Sequence, residues 1–179
     1  MQFRLWEVSA LFETAEVILE AKHVTRRFAA SKGRTLLANH DVNLKMYKGK
    51  TLGLVGESGC GKSTFMRFLV SLDMPSEGQI LYRGKDITKL KGEELRRNRQ
   101  NIQMVFQDPS ASFNPKMKIR EILCEPLMNF GRIRASEKDA AAKKLLKMVE
   151  LPEEFADRYP HNMSGGQRQR VAIARALAL

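Results

Sequence analysis

The residues best suited to chemistry lie in one short run, Gly56-Glu57-Ser58-Gly59-Cys60-Gly61-Lys62-Ser63-Thr64. Gly56, Gly61, Lys62 and Ser63 satisfy the phosphate-binding pattern G-x-x-x-x-G-K-[ST]. Glycines let the backbone turn tightly, so successive N–H groups converge on one concavity. A helix starting there adds its partial positive charge. Lys62 supplies a full charge for the outer phosphates, and Ser63 a hydroxyl for Mg²⁺. The context fits, because Thr51–Val55 reads as a short strand buried on both faces and Ser63–Leu72 as a helix. The motif implies ATP or GTP without naming an enzyme.

A second run, Met163-Ser164-Gly165-Gly166-Gln167-Arg168, also precedes a helical pattern. Ser164 is placed as its N-cap, and the two glycines leave the backbone open at the helix start. Ser-Gly-Gly alone would be only a capped helix with a flexible entry.

The longer string resembles the LSGGQ signature of ABC-type ATPases, with Met163 in place of the usual Leu. Together with the P-loop and Gln107, the resemblance extends over residues 17–179. It implies an α/β P-loop NTPase fold: a RecA-like core with an antiparallel β edge, plus an α-helical subdomain. It also implies roles. Gln107 is similar to the glutamine that contacts Mg²⁺ or the attacking water and senses the γ-phosphate. Phe28 is similar to the aromatic that stacks on adenine; the same residue would otherwise read as a core phenylalanine. Ser164, Gly165, Gly166 and Gln167 would close on ATP held by the P-loop of a second, head-to-tail subunit, identical or paralogous.

Finer strings, Gly56-Glu57-Ser58-Gly59, Val105–Pro115 and Glu121–Leu127, resemble the oligopeptide/dipeptide/nickel importer branch. That branch implies docking of the helical half onto membrane-spanning permease subunits, an indirect link to a solute-binding protein, and a place at the cytoplasmic face of the inner membrane. Two other readings remain: a soluble ABC-type ATPase acting on nucleic acid, although no nucleic acid is expected for the importer, and a partial gene product without function of its own.

The resemblance carries a further expectation. In the family, the signature helix is followed by an apolar strand ending in Asp and Glu (the Walker B motif and the water-polarising carboxylate), then by a switch histidine. His23, His40 and His161 do not match that histidine, and no segment matches the strand. The chain is therefore expected to be C-terminally incomplete, truncated before Walker B. Alone it is expected neither to hydrolyse ATP measurably nor to fold cooperatively, since Leu52, Leu54 and Val55 would lack sheet neighbours.

The elements that must position these groups follow from periodicity. Val17–Val24 and Asp41–Tyr47 read as an antiparallel pair at the sheet edge, with turns at Ser31-Lys32-Gly33 and Lys48-Gly49-Lys50. Gln79–Tyr82 and Ile102–Phe106 read as further strands, and Glu93–Arg99 as a short charged helix. Helical patterns follow at Ile119–Phe130, Ser136–Glu150 and Gly166–Leu179, with a short turn at Glu153–Asp157. Ser136 and Asp139 are spaced as a capping box. The division is 1–16, an N-terminal segment without assignment; 17–109, the ATP-binding core; 110–163, the helical subdomain; and 164–179, the signature and its helix.

The 179 residues suffice for one domain, and 43% hydrophobic content excludes a disordered chain. The net charge of +11 suits an anionic partner or a basic solvated surface. No apolar run of about 18 residues is present, and residues 1–15 carry no targeting signal. Cys60 and Cys124 have neither metal-ligand nor CxxC spacing, and a cysteine within the P-loop fits a reducing compartment.

Overall fold

The computed structural model describes residues 15–29, 34–108 and 112–179. The Ser31-Lys32-Gly33 turn and the N-terminal segment up to residue 14 lie outside them. One compact unit extends to Arg99 and a second runs from Gln100 to Leu179.

The first unit is built on a four-stranded antiparallel sheet. Its strands are β1 (Val17–Ala29), β2 (Thr35–Tyr47), β3 (Glu77–Tyr82) and β4 (Lys85–Asp86), in the order β2-β1-β3-β4. β1 pairs with β2 in the register Ala21↔Leu44 and Val24↔Val42, and with β3 as Ala21↔Ile80. The expected antiparallel pair is therefore present, longer than the sequence pattern suggested. Val42 and Leu44 are buried while Asp41, Asn43 and Lys45 are exposed, as alternation requires of a sheet with one covered face. Helix α1 (Lys62–Leu69) buries Phe65, Phe68 and Leu69, spaced i, i+3, i+4 on one stripe. Helix α2 (Gly92–Asn98) carries Glu93 and Glu94 in its first turn and Arg96 and Arg97 in its last, matching its dipole.

Two expected strands do not form. Thr51–Val55 and Ile102–Phe106 make no sheet ladder among the described residues. Leu52 is 40% exposed, Val55 78% and Phe106 44%. An apolar run becomes a buried strand only when neighbours saturate its N–H and C=O groups. The described strands pair with one another and offer these two segments none.

The second unit is helical: α3 (Ile119–Asn129), α4 (Lys138–Met148) and α5 (Gly165–Ala176), with 3₁₀ turns at Ala135–Glu137, Glu153–Asp157 and Pro160–Asn162. Its core joins Ile119, Ile122 and Leu123 of α3, Leu145 and Leu146 of α4, and Val171 and Ala174 of α5 with Phe113, Phe155 and Met163. The capping box expected at Ser136 and Asp139 is displaced. Glu137 reaches back to the Arg134 N–H at 2.6 Å, while Asp139 pairs with Lys143 at 2.9 Å and Arg120 at 3.3 Å. A carboxylate with two cations in reach gains more there than from one backbone donor. No helix among the described residues is long and apolar enough to cross a membrane.

Candidate nucleotide site

The P-loop residues come together in the first unit. The loop's exposed part, Gly56-Glu57-Ser58-Gly59, tightens where the Cys60 N–H donates to the Glu57 carbonyl at 3.3 Å. Gly61 then caps α1 with φ 96° and ψ 4°, a left-handed conformation that side chains resist. A Cβ at Gly61 would lie 2.3 Å from the Ala38 carbonyl oxygen of β2. Position 61 must be glycine on both counts, and the close approach fixes the start of α1 against the sheet.

Helix α1 begins without protection. Gly61 provides no side-chain cap and no acid occupies the first turn. The N–H groups of Lys62, Ser63 and Thr64 have no intrahelical acceptors. Ser63 is exposed, and Thr64 half-buried. The Lys62 ammonium folds back over the loop, donating to the Gly56 carbonyl at 2.7 Å and the Glu57 carbonyl at 2.6 Å, with Cys60 Sγ at 3.5 Å. Free donors, a positive helix end and a full cation in one concave loop suit a polyanion of phosphate type. The residues fit the triphosphate of a nucleotide. Among the described residues no cluster of three or more His, Cys, Asp or Glu could hold a metal by itself.

Asn39 is a residue that sequence reasoning missed. Only 3% exposed, it donates from Nδ2 to the Gly61 carbonyl at 3.3 Å, an oxygen that also accepts the Phe65 N–H at 2.9 Å. The available signal was a polar residue at an inward position of β2. The left-handed Asp41, φ 49°, and the shifted β1–β2 register hide that orientation from simple alternation.

Phe28 lies near the end of β1, half-buried rather than in the core, opposite Leu36 of β2. The Arg26 guanidinium covers its ring at 4.6 Å from the centroid.

In the second unit, Ser164 caps α5 through a reciprocal pair. Its hydroxyl accepts the Gln167 N–H at 3.3 Å, and Gln167 Oε1 accepts the Ser164 N–H at 2.9 Å. Met163 is buried, 5% exposed, so an apolar side chain is what the position needs. Its carbonyl accepts from Arg168 Nη1 at 2.7 Å. Ser164, Gly165 and Gly166 are exposed, and a Cβ on either glycine would meet nothing within 4 Å. Gln107 is exposed at a bend; Val105 before it packs on the helical core and Phe113 after it is part of that core.

Residues 39–179 match the ABC transporter family. The chain is 47% identical over 171 residues to the oligopeptide transport ATP-binding protein AppF of Bacillus subtilis, covering 92% of this chain and 52% of that protein. It is 43% identical to OppF of Salmonella typhimurium, of the same description (96% and 54% covered). The dipeptide transport ATP-binding protein DppF of Lactococcus lactis is 44% identical (90% and 53%). The chain thus spans about half the length of the curated relatives it matches. Among solved structures, the ATP-binding cassette MJ0796, a dimer in a post-hydrolysis state bound to ADP and Pi, superposes with TM-score 0.81 at 35% identity, covering 90% of this chain and 69% of that one. The cbiO1 protein of Clostridium perfringens gives 0.75 at 26% identity, with 91% and 62% covered. A P-loop opening an uncapped helix, a serine-capped glycine pair opening another, and a match over residues 39–179 place the chain in the ABC transporter family, with an α/β P-loop NTPase fold.

Proposed function

We propose that the chain belongs to the ATP-hydrolysing subunit of an importer for oligopeptides or dipeptides, working beside permease subunits at the cytoplasmic face of the inner membrane. The observation that carries the nucleotide reading is the uncapped start of α1 with Lys62 folded across the loop mouth. The peptide transport functions of the relatives, and their identity of 43–47%, support the peptide cargo.

In this reading Gly56–Thr64 binds the phosphates. Backbone N–H groups orient them, and Lys62 exchanges its two carbonyl acceptors for phosphate oxygens. Ser63 would offer its hydroxyl to Mg²⁺, which when bound supplies charge neutralisation at the phosphates, and Gln107 keeps the role that the family resemblance implies for it. Phe28 takes the base. Ser164 with Gly165 and Gly166 closes on the nucleotide of a second subunit, and the bare surface at both glycines supports that assignment. Glycine in a helix costs stability, and nothing among the described residues requires it there. The dimeric state of the MJ0796 cassette supports pairing.

The test is a binding titration with Mg·ATP, combined with rescue of peptide uptake by the full-length protein in cells lacking such an importer's ATPase. Saturable binding that Lys62→Ala abolishes, with uptake restored, is the expected result. Salt-sensitive DNA binding without ATP binding would overturn the proposal and favour a nucleic-acid ATPase.

A further inference from the structure

Arg26 and Phe28 are two apart on β1 and share a face of the strand. The guanidinium over the Phe28 ring is not free to wander. Its Nη1 donates to the Met74 carbonyl at 2.6 Å, and its Nη2 lies 3.8 Å from Asp73 Oδ1. Asp73 belongs to the turn that ends the P-loop helix, its N–H bonded to the Arg67 carbonyl at 3.3 Å. The same turn is laced to β1 twice more: Ser76 N–H donates to the Thr25 carbonyl at 2.8 Å, and Arg27 N–H to Ser76 Oγ at 3.1 Å. Arg26 therefore holds two things at once, the far end of the P-loop helix and one face of the aromatic ring.

We propose that Arg26 is a positioning residue for base recognition: it clamps one face of Phe28, so that the ring offers its other face to adenine at a place registered to the P-loop helix. The proposal rests on reading Phe28 as the base-stacking residue. The physical case is direct. An unsupported half-buried phenylalanine on a strand next to the sheet edge has two χ angles to restrict before it can stack. A guanidinium fixed by Met74 and Asp73 restricts them in advance and is attracted to the ring face it covers. Preorganisation of this kind reduces the entropy that base binding must overcome.

Two probes separate the base from the phosphates. ATP engages both Phe28 and the P-loop, while inorganic tripolyphosphate engages the P-loop alone. In the full-length protein, Arg26→Met keeps most of the side-chain length without the charge, Arg26→Lys keeps the charge without the plane, and thermal melts confirm that each variant is folded. Arg26→Met is expected to weaken ATP about 3- to 10-fold and to leave tripolyphosphate within about twofold. Arg26→Lys should recover part of the loss, and in a Phe28→Ala background Arg26→Met should cost nothing further. Equal loss for both probes, unchanged ATP affinity, or a full effect without Phe28 would overturn the role of Arg26. Wild-type protein that binds tripolyphosphate as tightly as ATP would remove the Phe28 reading itself, and the proposal with it. Wild-type protein that binds neither probe would instead remove the nucleotide reading on which both depend.

Discussion

The ammonium of Lys62 donates to the carbonyl oxygen of Gly56 at 2.7 Å, so a full positive charge bridges the first and seventh residues of the P-loop. The same ammonium reaches the Glu57 carbonyl at 2.6 Å. A lysine with three donors and no acceptor must find oxygens somewhere. The loop carbonyls hold it at the mouth; in the proposed function an incoming phosphate would replace neutral acceptors with charged ones and make stronger bonds.

Replacing Lys62 therefore tests both halves of this exchange. Lys62→Met is expected to reduce affinity for ATP by at least about tenfold. Its effect on stability should be small, because the bonds it removes are exposed. Titration calorimetry with a parallel urea melt checks both. A variant that loses its fold, or that binds ATP normally, would contradict the geometry.

Cys124 differs from Cys60 in what surrounds it. It is fully buried in α3, its Sγ donates to the Lys138 carbonyl at 3.3 Å, and desolvation pushes its thiol above the ordinary value. The thiolate is the reactive form, and here burial disfavours it. Native protein treated with iodoacetamide at about pH 8 should leave Cys124 unmodified, while the same treatment in urea should modify it fully. Mass spectrometry of the peptide containing Cys124 reads the result. Rapid labelling in the native state would show that the helical core opens readily.

Acid should loosen the helical unit through Asp139 and Asp157. Lys143, followed by Arg120, holds the Asp139 carboxyl below its usual value; Lys118, with Arg120, does the same to Asp157. A depressed folded-state pKa stabilises above the unfolded value, about 3.9, and that contribution vanishes as pH falls through the folded value. Melting temperatures of wild type and Asp157→Asn should therefore differ at about pH 6 and converge toward about pH 3. Both carboxylates are exposed, so the gap should also shrink in high salt. Curves that stay parallel down to that acid limit would show that these pairs contribute nothing to folding.

Much of this is legible in the sequence because it is local. The P-loop, the Ser164 cap and the i, i+3, i+4 stripe of α1 depend on neighbours within a turn or two. Thr51–Val55 misleads for the opposite reason. Its apolar residues state a need for burial, but a strand exists only when remote segments pair with it. Asn39 and Arg26 escape notice because their partners, Gly61 and Met74, are distant in the chain. The capping box at Ser136 fails because Arg120, also remote, competes for Asp139.

Three glycines of the two motifs differ in what folding asks of them. Gly61 is required by the chain itself: its φ is 96°, and a Cβ would press on the Ala38 carbonyl at 2.3 Å. Gly165 and Gly166 have ordinary backbone angles and open space around them. Gly61→Ala should thus cost at least about 2 kcal/mol of stability. Gly166→Ala should be neutral or stabilising by up to about 1 kcal/mol, since alanine favours the helix. If the bare surface at Gly166 exists for a second subunit's nucleotide, Gly166→Ala in the full-length protein should still bind ATP but should no longer pair in its presence. Urea unfolding gives the first comparison and light scattering with ATP the second. A Gly166→Ala protein that pairs as wild type does would mean that the glycine is there for some reason other than close approach.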